Sequence, residues 1–486
     1  MNSGSTRIPI GALFGVLLLL VCYGKPSFAD IGYQLGLAGE SSDNIGRDAA
    51  DTRSEWITRY LAALTLNADN RLFTSNTLLQ ARYNDYKRNI YDDRADYLVN
   101  SELVWRILPQ RLEFRVDDIF TRVQLNPAEA DTPDNQQNTN VVSLGPTMNI
   151  RFGDADLLIL QGRYSETYYE TTDTDNRVHL GNIRYRHRHT PVSTTSLNLT
   201  SRVVQYTESN LYPTMWTHRG VLGYARAASR ITRLSAEVGR TLIDDRTNPV
   251  DNTFSTTGTA RLTRRTTRNS ILRLEVGREV SDASETLLQD TRQQQPLEDV
   301  IAPGALFITS NASARLTRAT IYGSQALNLR ARKIEFEEIG NQPLTDATSS
   351  QRMGSAELNL TYNLTESDRA GIRGRFIKTE YRDTLRTDRD SWLEGWFERQ
   401  IRKRVALRLG YSRGERDSSN SADEYVENRA MISLSYNYEV GQPERSPIDG
   451  DGFRDLERPE PDVLDDGSGF SGAAQPGANP LDAGTE

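Results

Sequence analysis

The chain has 486 residues, a formal net charge of −8 and a single cysteine. Its mean hydropathy of −0.60 excludes a bundle of transmembrane helices, but not a membrane β-barrel, where only alternate residues meet lipid. The charge is uneven: residues 441–486 hold eleven Asp and Glu against three Arg, so the body is near neutral and lacks the one-sided basic balance of a nucleic-acid binder.

The first segment is an address. Arg7 precedes an apolar run from Ile8 to Val21, and Ser27-Phe28-Ala29 is a small-x-small cleavage site. Residues 1–29 are therefore expected to be a signal peptide, with the mature chain starting at Asp30. Cys22 lies inside it. Its removal leaves no disulfide, no thiolate metal site and no cysteine nucleophile.

From residue 30 to residue 440 the pattern alternates between apolar and polar residues, in segments joined by short turns and longer loops in rotation. Strands are predicted near 31–40, 56–67, 71–86, 96–106, 111–124, 140–152, 157–170, 177–188, 194–208 and 216–227. They continue near 231–243, 253–263, 269–281, 304–318, 321–336, 351–364, 369–382, 390–401, 403–415 and 425–440. Near 404–413, Val405, Leu407, Leu409 and Tyr411 take one face, and Arg404, Ala406, Arg408 and Gly410 take the other. Period two with an apolar and a charged face is a strand between two different solvents.

The connections alternate in kind. Ser229-Arg230, Thr266-Thr267 and Arg402-Lys403 are short; Asn126 to Asn140, Asp282 to Val300 and Gly340 to Ser350 are long and polar. A barrel that begins in the periplasm has a long first connection, and Ser41 to Glu55 is long. The expected fold is all-β: one large antiparallel transmembrane β-barrel of about 18–20 strands, with short periplasmic turns and long outer loops. A soluble stack of sandwiches would not keep this short–long rotation, and a solenoid needs a constant repeat length. Trp56, Tyr97, Trp105, Tyr169, Trp216, Trp392 and Trp396 lie near strand ends, where an interfacial aromatic girdle would be.

Beyond the strands, residues 441–486 form an acidic, Pro- and Gly-rich tail that is expected to be disordered. Asp449-Gly450-Asp451-Gly452-Phe453 echoes a calcium loop only faintly, because Pro447 and Arg458 stand where acidic ligands belong.

No residue constellation argues for catalysis. His187 and His189 share a strand face, but no third metal ligand is evident. No metal, no cofactor and no enzymatic activity is expected. The candidate lumen-lining residues are Arg233, Glu237, Arg273, Glu275, Glu357, Arg373, Arg404 and Arg408. They suit ion-pair ladders that stiffen a wide lumen, or a path for an anionic or hydroxyl-rich solute. Tyr436 and Tyr438 end the last strand as an aromatic pair, resembling the assembly signal of outer-membrane barrels.

The stretch Gly36-Leu37-Ala38-Gly39-Glu40-Ser41-Ser42-Asp43-Asn44-Ile45, with Leu64-Thr65-Leu66 and Tyr83-Asn84-Asp85-Tyr86, resembles a family of outer-membrane β-barrel porins associated with exopolysaccharide production and the PEP-CTERM/exosortase system. Asp43 and Asn44 carry the family-like motif. The resemblance implies a Gram-negative outer-membrane location and a transport role linked to exopolysaccharide. The partners expected with it are outer-membrane lipid, the barrel assembly machinery, polysaccharide and periplasmic export components, with no nucleic acid. The alternatives are a structural or glycan-binding barrel without pore activity, and a soluble secreted all-β adhesin.

Overall fold

The computed structural model describes residues 29–207, 214–245, 253–282, 306–336 and 349–439. The expected signal peptide up to residue 28, the acidic tail, and most of the predicted loops at 282–300 and 340–350 lie outside the described residues.

Twenty strands are present. The first five are β1 (Ala29–Ser42), β2 (Glu55–Asp69), β3 (Phe73–Tyr86), β4 (Arg94–Leu108) and β5 (Leu112–Gln124). Next come β6 (Gln136–Phe152), β7 (Asp156–Tyr169), β8 (Asn176–Thr190), β9 (Ser193–Tyr206) and β10 (Met215–Ser229). They are followed by β11 (Thr232–Asp245), β12 (Thr253–Thr267), β13 (Ser270–Asp282), β14 (Leu306–Thr320) and β15 (Gly323–Phe336). The last are β16 (Gln351–Asn363), β17 (Asp368–Tyr381), β18 (Thr387–Arg402), β19 (Val405–Ser418) and β20 (Tyr425–Glu439).

Each strand pairs antiparallel with the next, and β1 pairs with β20 from Gly32↔Glu439 to Ser42↔Arg429. The sheet is thus a closed barrel with no free edge, which satisfies every ladder without water. The chain termini of the barrel and the short turns share one end; the longer connections share the other.

Alternation decides which side chain faces where. Directly opposed residues in an antiparallel ladder share a face. Leu37 opposes Tyr60 and Leu434, and Leu434 opposes Leu407. Val238 opposes Leu222, Leu274 opposes Leu262, and Leu358 opposes Leu327. These outward positions are exposed: Leu37 is 49% accessible, Leu222 56% and Val238 62%. A continuous apolar belt of this kind is not tolerated in water and is at home in hydrocarbon. No helix among the described residues is long and apolar enough to cross a membrane; the strands do the crossing.

The inside is not one hydrophobic core. Among the described residues four small interior clusters occur, two of them Ile119–Val123–Val141–Tyr169 and Ile45–Ile57–Tyr86. They sit at the long-loop end of their strands, where they brace the mouth.

Candidate functional site in the barrel interior

The ladders place seven of the eight candidate lumen residues on the inner face. Arg233 opposes Thr263, Glu237 opposes Gly223, and Glu275 opposes Arg261. Arg373 opposes Glu394 and Asn359, and Arg408 opposes Glu398 and Ser433. Several form ion pairs: Arg261–Glu275 at 3.0 Å, Arg373–Glu357 at 2.9 Å and Arg408–Glu394 at 3.2 Å.

Arg404 departs from the expectation. It stands in the turn before β19, where no ladder directs its side chain. Its guanidinium lies over the ring of Tyr438, 4.3 Å from the centroid. Tyr438 is on the outer face, so Arg404 belongs to the rim and not to the lumen.

The aromatic girdle also needs correction. Trp56, Tyr97 and Trp105 are outward and exposed. Trp392 and Trp396 point inward, opposite Gly414 and Gly410, and Tyr169 is buried in an interior cluster. Inside the barrel Arg373 lies over Trp392 at 5.6 Å and Arg408 over Trp396 at 4.4 Å. Gly371 leaves the space that Trp396 occupies: a Cβ there would come within 2.4 Å of the indole.

Asp43 and Asn44 close the seam at the mouth. The Asn428 backbone N–H and side-chain amide donate to the two Asp43 carboxylate oxygens, each at 2.7 Å. Asn44, 1% exposed, donates through its amide to the carbonyls of Asp48 (2.8 Å) and Val426 (3.0 Å). The left-handed residue of this loop is Arg47, at φ 52°.

The connection between β5 and β6 does not stand out into solvent. It contains a short 3-10 turn at Pro133–Asn135 and reaches across the mouth to the opposite wall. Arg386 Nη2 donates to the Ala128 carbonyl at 2.8 Å, Arg416 Nη1 to the same oxygen at 3.4 Å, and Arg47 Nη1 to the Asp131 carbonyl at 2.8 Å. Ala128 is 2% exposed. The segment is a crossbar, moored on its own side by Arg94, which donates to the Pro133 carbonyl at 2.9 Å.

The mooring arginines are fixed by acids. Arg386 is bidentate on buried Asp388 (2.7 and 2.9 Å), and Ser418 Oγ donates to Asp388 at 2.6 Å. Arg416 Nε donates to Asp390 at 2.6 Å, and Arg47 Nε to Glu427 at 3.0 Å. Burial of Arg47 by itself disfavours its charge, but Tyr425, Glu427 and Asp131 more than offset this and raise its pKa above the ordinary value. The crossbar is therefore held by permanent cations on neutral carbonyls.

Beneath the crossbar lies a chamber of about 580 Å³, lined by Glu40, Arg373, Trp392, Glu394, Arg416 and Glu427 among others. A second, larger hollow of about 840 Å³ is lined by Pro146, Met148, Leu160, Ile183 and Leu199. These face outward, so that hollow belongs to the apolar belt.

Outer-membrane barrels of known structure share this form loosely. The siderophore receptor PirA from Pseudomonas aeruginosa aligns at 8% identity and a TM-score of 0.42, covering 84% of this chain and 80% of its own. The outer membrane protein OpdK from the same organism aligns at 9% identity and a TM-score of 0.38, covering 85% and 98%. OccAB4 from Acinetobacter baumannii aligns at 11% identity and a TM-score of 0.38, covering 85% and 99%. No family model matches the chain, and no curated protein matches it in sequence.

Proposed function

We propose that this chain is an outer-membrane channel of a Gram-negative cell, exported with a cleaved signal peptide, and that it serves the traffic of surface polysaccharide without enzymatic activity. One observation carries the channel reading. A closed wall, apolar outside, encloses an interior of arginine, carboxylate and tryptophan with a chamber under the crossbar. Twenty strands enclose a lumen wide enough to pass solute unless it is blocked. The polysaccharide assignment rests on the family resemblance of the first strand and loop. Planar-bilayer conductance of the purified full-length protein tests the channel; a barrel that stays sealed at all voltages sinks it.

The moored crossbar favours one second reading, a barrel that holds glycan at the surface without passing it. That reading expects glycan binding with no conductance, lost when the segment 126–135 is shortened.

A further inference from the structure

The chamber beneath the crossbar has an aromatic wall. Trp392 lines it from the inner face of β18, with Gly414 of β19 directly opposite. A glycine has no side chain to lay across the indole, whereas even a Cβ at residue 414 would meet Cδ1 of Trp392 at 3.7 Å. The Arg373 guanidinium lies over the ring, 5.6 Å from its centroid, and steadies it by cation–π attraction. The same unit recurs further along β18. Trp396 opposes Gly410 and takes Arg408 over its ring at 4.4 Å. Glu394 stands between the two tryptophans and accepts from Arg408 at 3.2 Å. Four residues of strand set the two indoles about 13 Å apart along the wall.

The charged lining of the chamber is made of pairs. Arg373 bonds Glu357 at 2.9 Å, Arg416 bonds Asp390 at 2.6 Å, and Arg429 bonds Glu427 at 2.7 Å and Glu40 at 3.3 Å. Arg47 bonds Glu427 at 3.0 Å and Arg122 bonds Asp96 at 2.8 Å. Arg375 directly opposes Glu357, and Arg332 lies near Glu279. Each arginine of the lining thus has an acid beside it. Such a wall exerts little net pull on an anion, but it sets donors and acceptors side by side. The indole adds a broad, flat apolar surface.

One class of solute matches both features. A pyranose ring has an apolar C–H face, and its rim carries hydroxyls that each donate and accept. Stacked on an indole, it can bridge a guanidinium and a carboxylate without parting them. A purely apolar solute would strip water from these charges and replace none of its hydrogen bonds. We propose that the chamber is a binding site for an uncharged saccharide, with a pyranose stacked on Trp392 and its hydroxyls bonded to Asp390, Glu394 and Arg373. Trp396 is the next position along the path. This deepens the proposed traffic of polysaccharide and rests on that reading for passage, but not for binding.

The test uses the purified full-length protein, with maltotetraose and cellotetraose as uncharged probes and tetra-galacturonate as the acidic one. In calorimetry at least one uncharged probe binds at least about tenfold more tightly than tetra-galacturonate. Trp392→Ala weakens that binding by about tenfold or more. Trp392→Phe keeps most of it, and Trp56→Ala, on the outer face, leaves it unchanged. In planar bilayers the bound sugar interrupts the current, and Trp392→Ala shortens the interruptions. Four results overturn the proposal, whether or not the barrel conducts: no binding of either uncharged probe, equal or tighter binding of tetra-galacturonate, binding indifferent to Trp392→Ala, or equal losses in the Phe and Ala variants. The expected binding pattern in a barrel that carries no current upholds the site and rejects the channel.

Discussion

The ring of Tyr33 in β1 stacks on the ring of Tyr438 in β20, with centroids 4.8 Å apart and planes 23° from parallel. Tyr436 adds a second contact to Tyr33 at 6.0 Å, and Arg404 covers the other partner. The first and last strands of the chain thus meet through aromatic side chains on the lipid face. An aromatic pair contributes about 0.5–1.5 kcal/mol beyond its buried area. Tyr33→Ala is expected to lower the denaturant midpoint of the folded barrel by about that free energy, and Tyr33→Ala/Tyr438→Ala to cost less than the two single variants summed. Tyr97→Ala, on the same face away from the seam, is the control. Equal losses at Tyr33 and Tyr97 would remove the seam from the explanation.

At the mouth the same seam is tied by Asn44. Asn44→Ala leaves the Val426 and Asp48 carbonyls without their donor in a buried place, at a cost of about 1–3 kcal/mol. The expected result is faster backbone hydrogen exchange in residues 43–54 and near Val426, with the far ends of β1 and β20 unchanged. Exchange that rises evenly along both strands would contradict a local clamp.

Asp48 makes this loop sensitive to acid. Its carboxylate accepts from the Ala50 N–H at 2.7 Å and the Asp51 N–H at 3.0 Å. These bonds, the Asp51 one first, hold its pKa below the ordinary value of 3.8. A carboxylate with a depressed folded-state pKa stabilises the loop above its unfolded pKa, and that contribution fades as pH falls through the folded value. The turn is therefore intact at pH 6 and loosens only below the usual aspartate range. Intrinsic-rate-corrected exchange of the Ala50 and Asp51 amides should rise between pH 4 and pH 2, and Asp48→Asn should show that rise already at pH 6.

The crossbar gives the most direct reading of pore size. Replacing residues 127–134 with a short Gly-Ser link removes the segment without touching the buried Arg386–Asp388 pair. That matters because breaking a buried pair costs about 3–5 kcal/mol and would confound the result. Single-channel conductance is expected to rise at least about twofold, since the chamber beneath then opens straight to the outside. Unchanged conductance would mean that solute does not pass under the crossbar.

Strands and turns were legible because period two and turn chemistry are local signals. About 18–20 strands are expected and twenty are present among the described residues; boundaries shift by a few residues, as where β4, β6 and β18 begin earlier than their patterns suggest, at Arg94, Gln136 and Thr387. Parity also carried information that strand-end position obscured. Trp392 and Trp396 share parity with Glu394 and Glu398, whereas Leu393 and Phe397 take the other face, so their inward placement was written in the alternation. The contacts of Ala128 with Arg386 and Arg416, and of Asp43 with Asn428, join positions hundreds of residues apart. No local pattern announces such pairs. Arg404 misled because alternation loses its meaning in a turn.

Gly371 and Trp396 offer a last test, of the inner wall itself. They oppose each other across β17 and β18, and a Cβ on residue 371 would sit 2.4 Å from the indole. Contact that close cannot be absorbed by backbone at small cost, so Gly371→Ala must push the ring aside. The ring lines a polar interior, so it can swing toward the lumen instead of straining the sheet; overpacking then costs at the low end of about 1–3 kcal/mol. In doing so it leaves Arg408, which now lies over it at 4.4 Å. Gly371→Ala should therefore fold, show greater acrylamide quenching of tryptophan fluorescence, and lose that increase when combined with Trp396→Phe. Current through the pore should fall in Gly371→Ala and recover in Gly371→Ala/Trp396→Ala. Quenching that stays at the wild-type level would place Trp396 outside the lumen and undo the inward assignment of this face of β18.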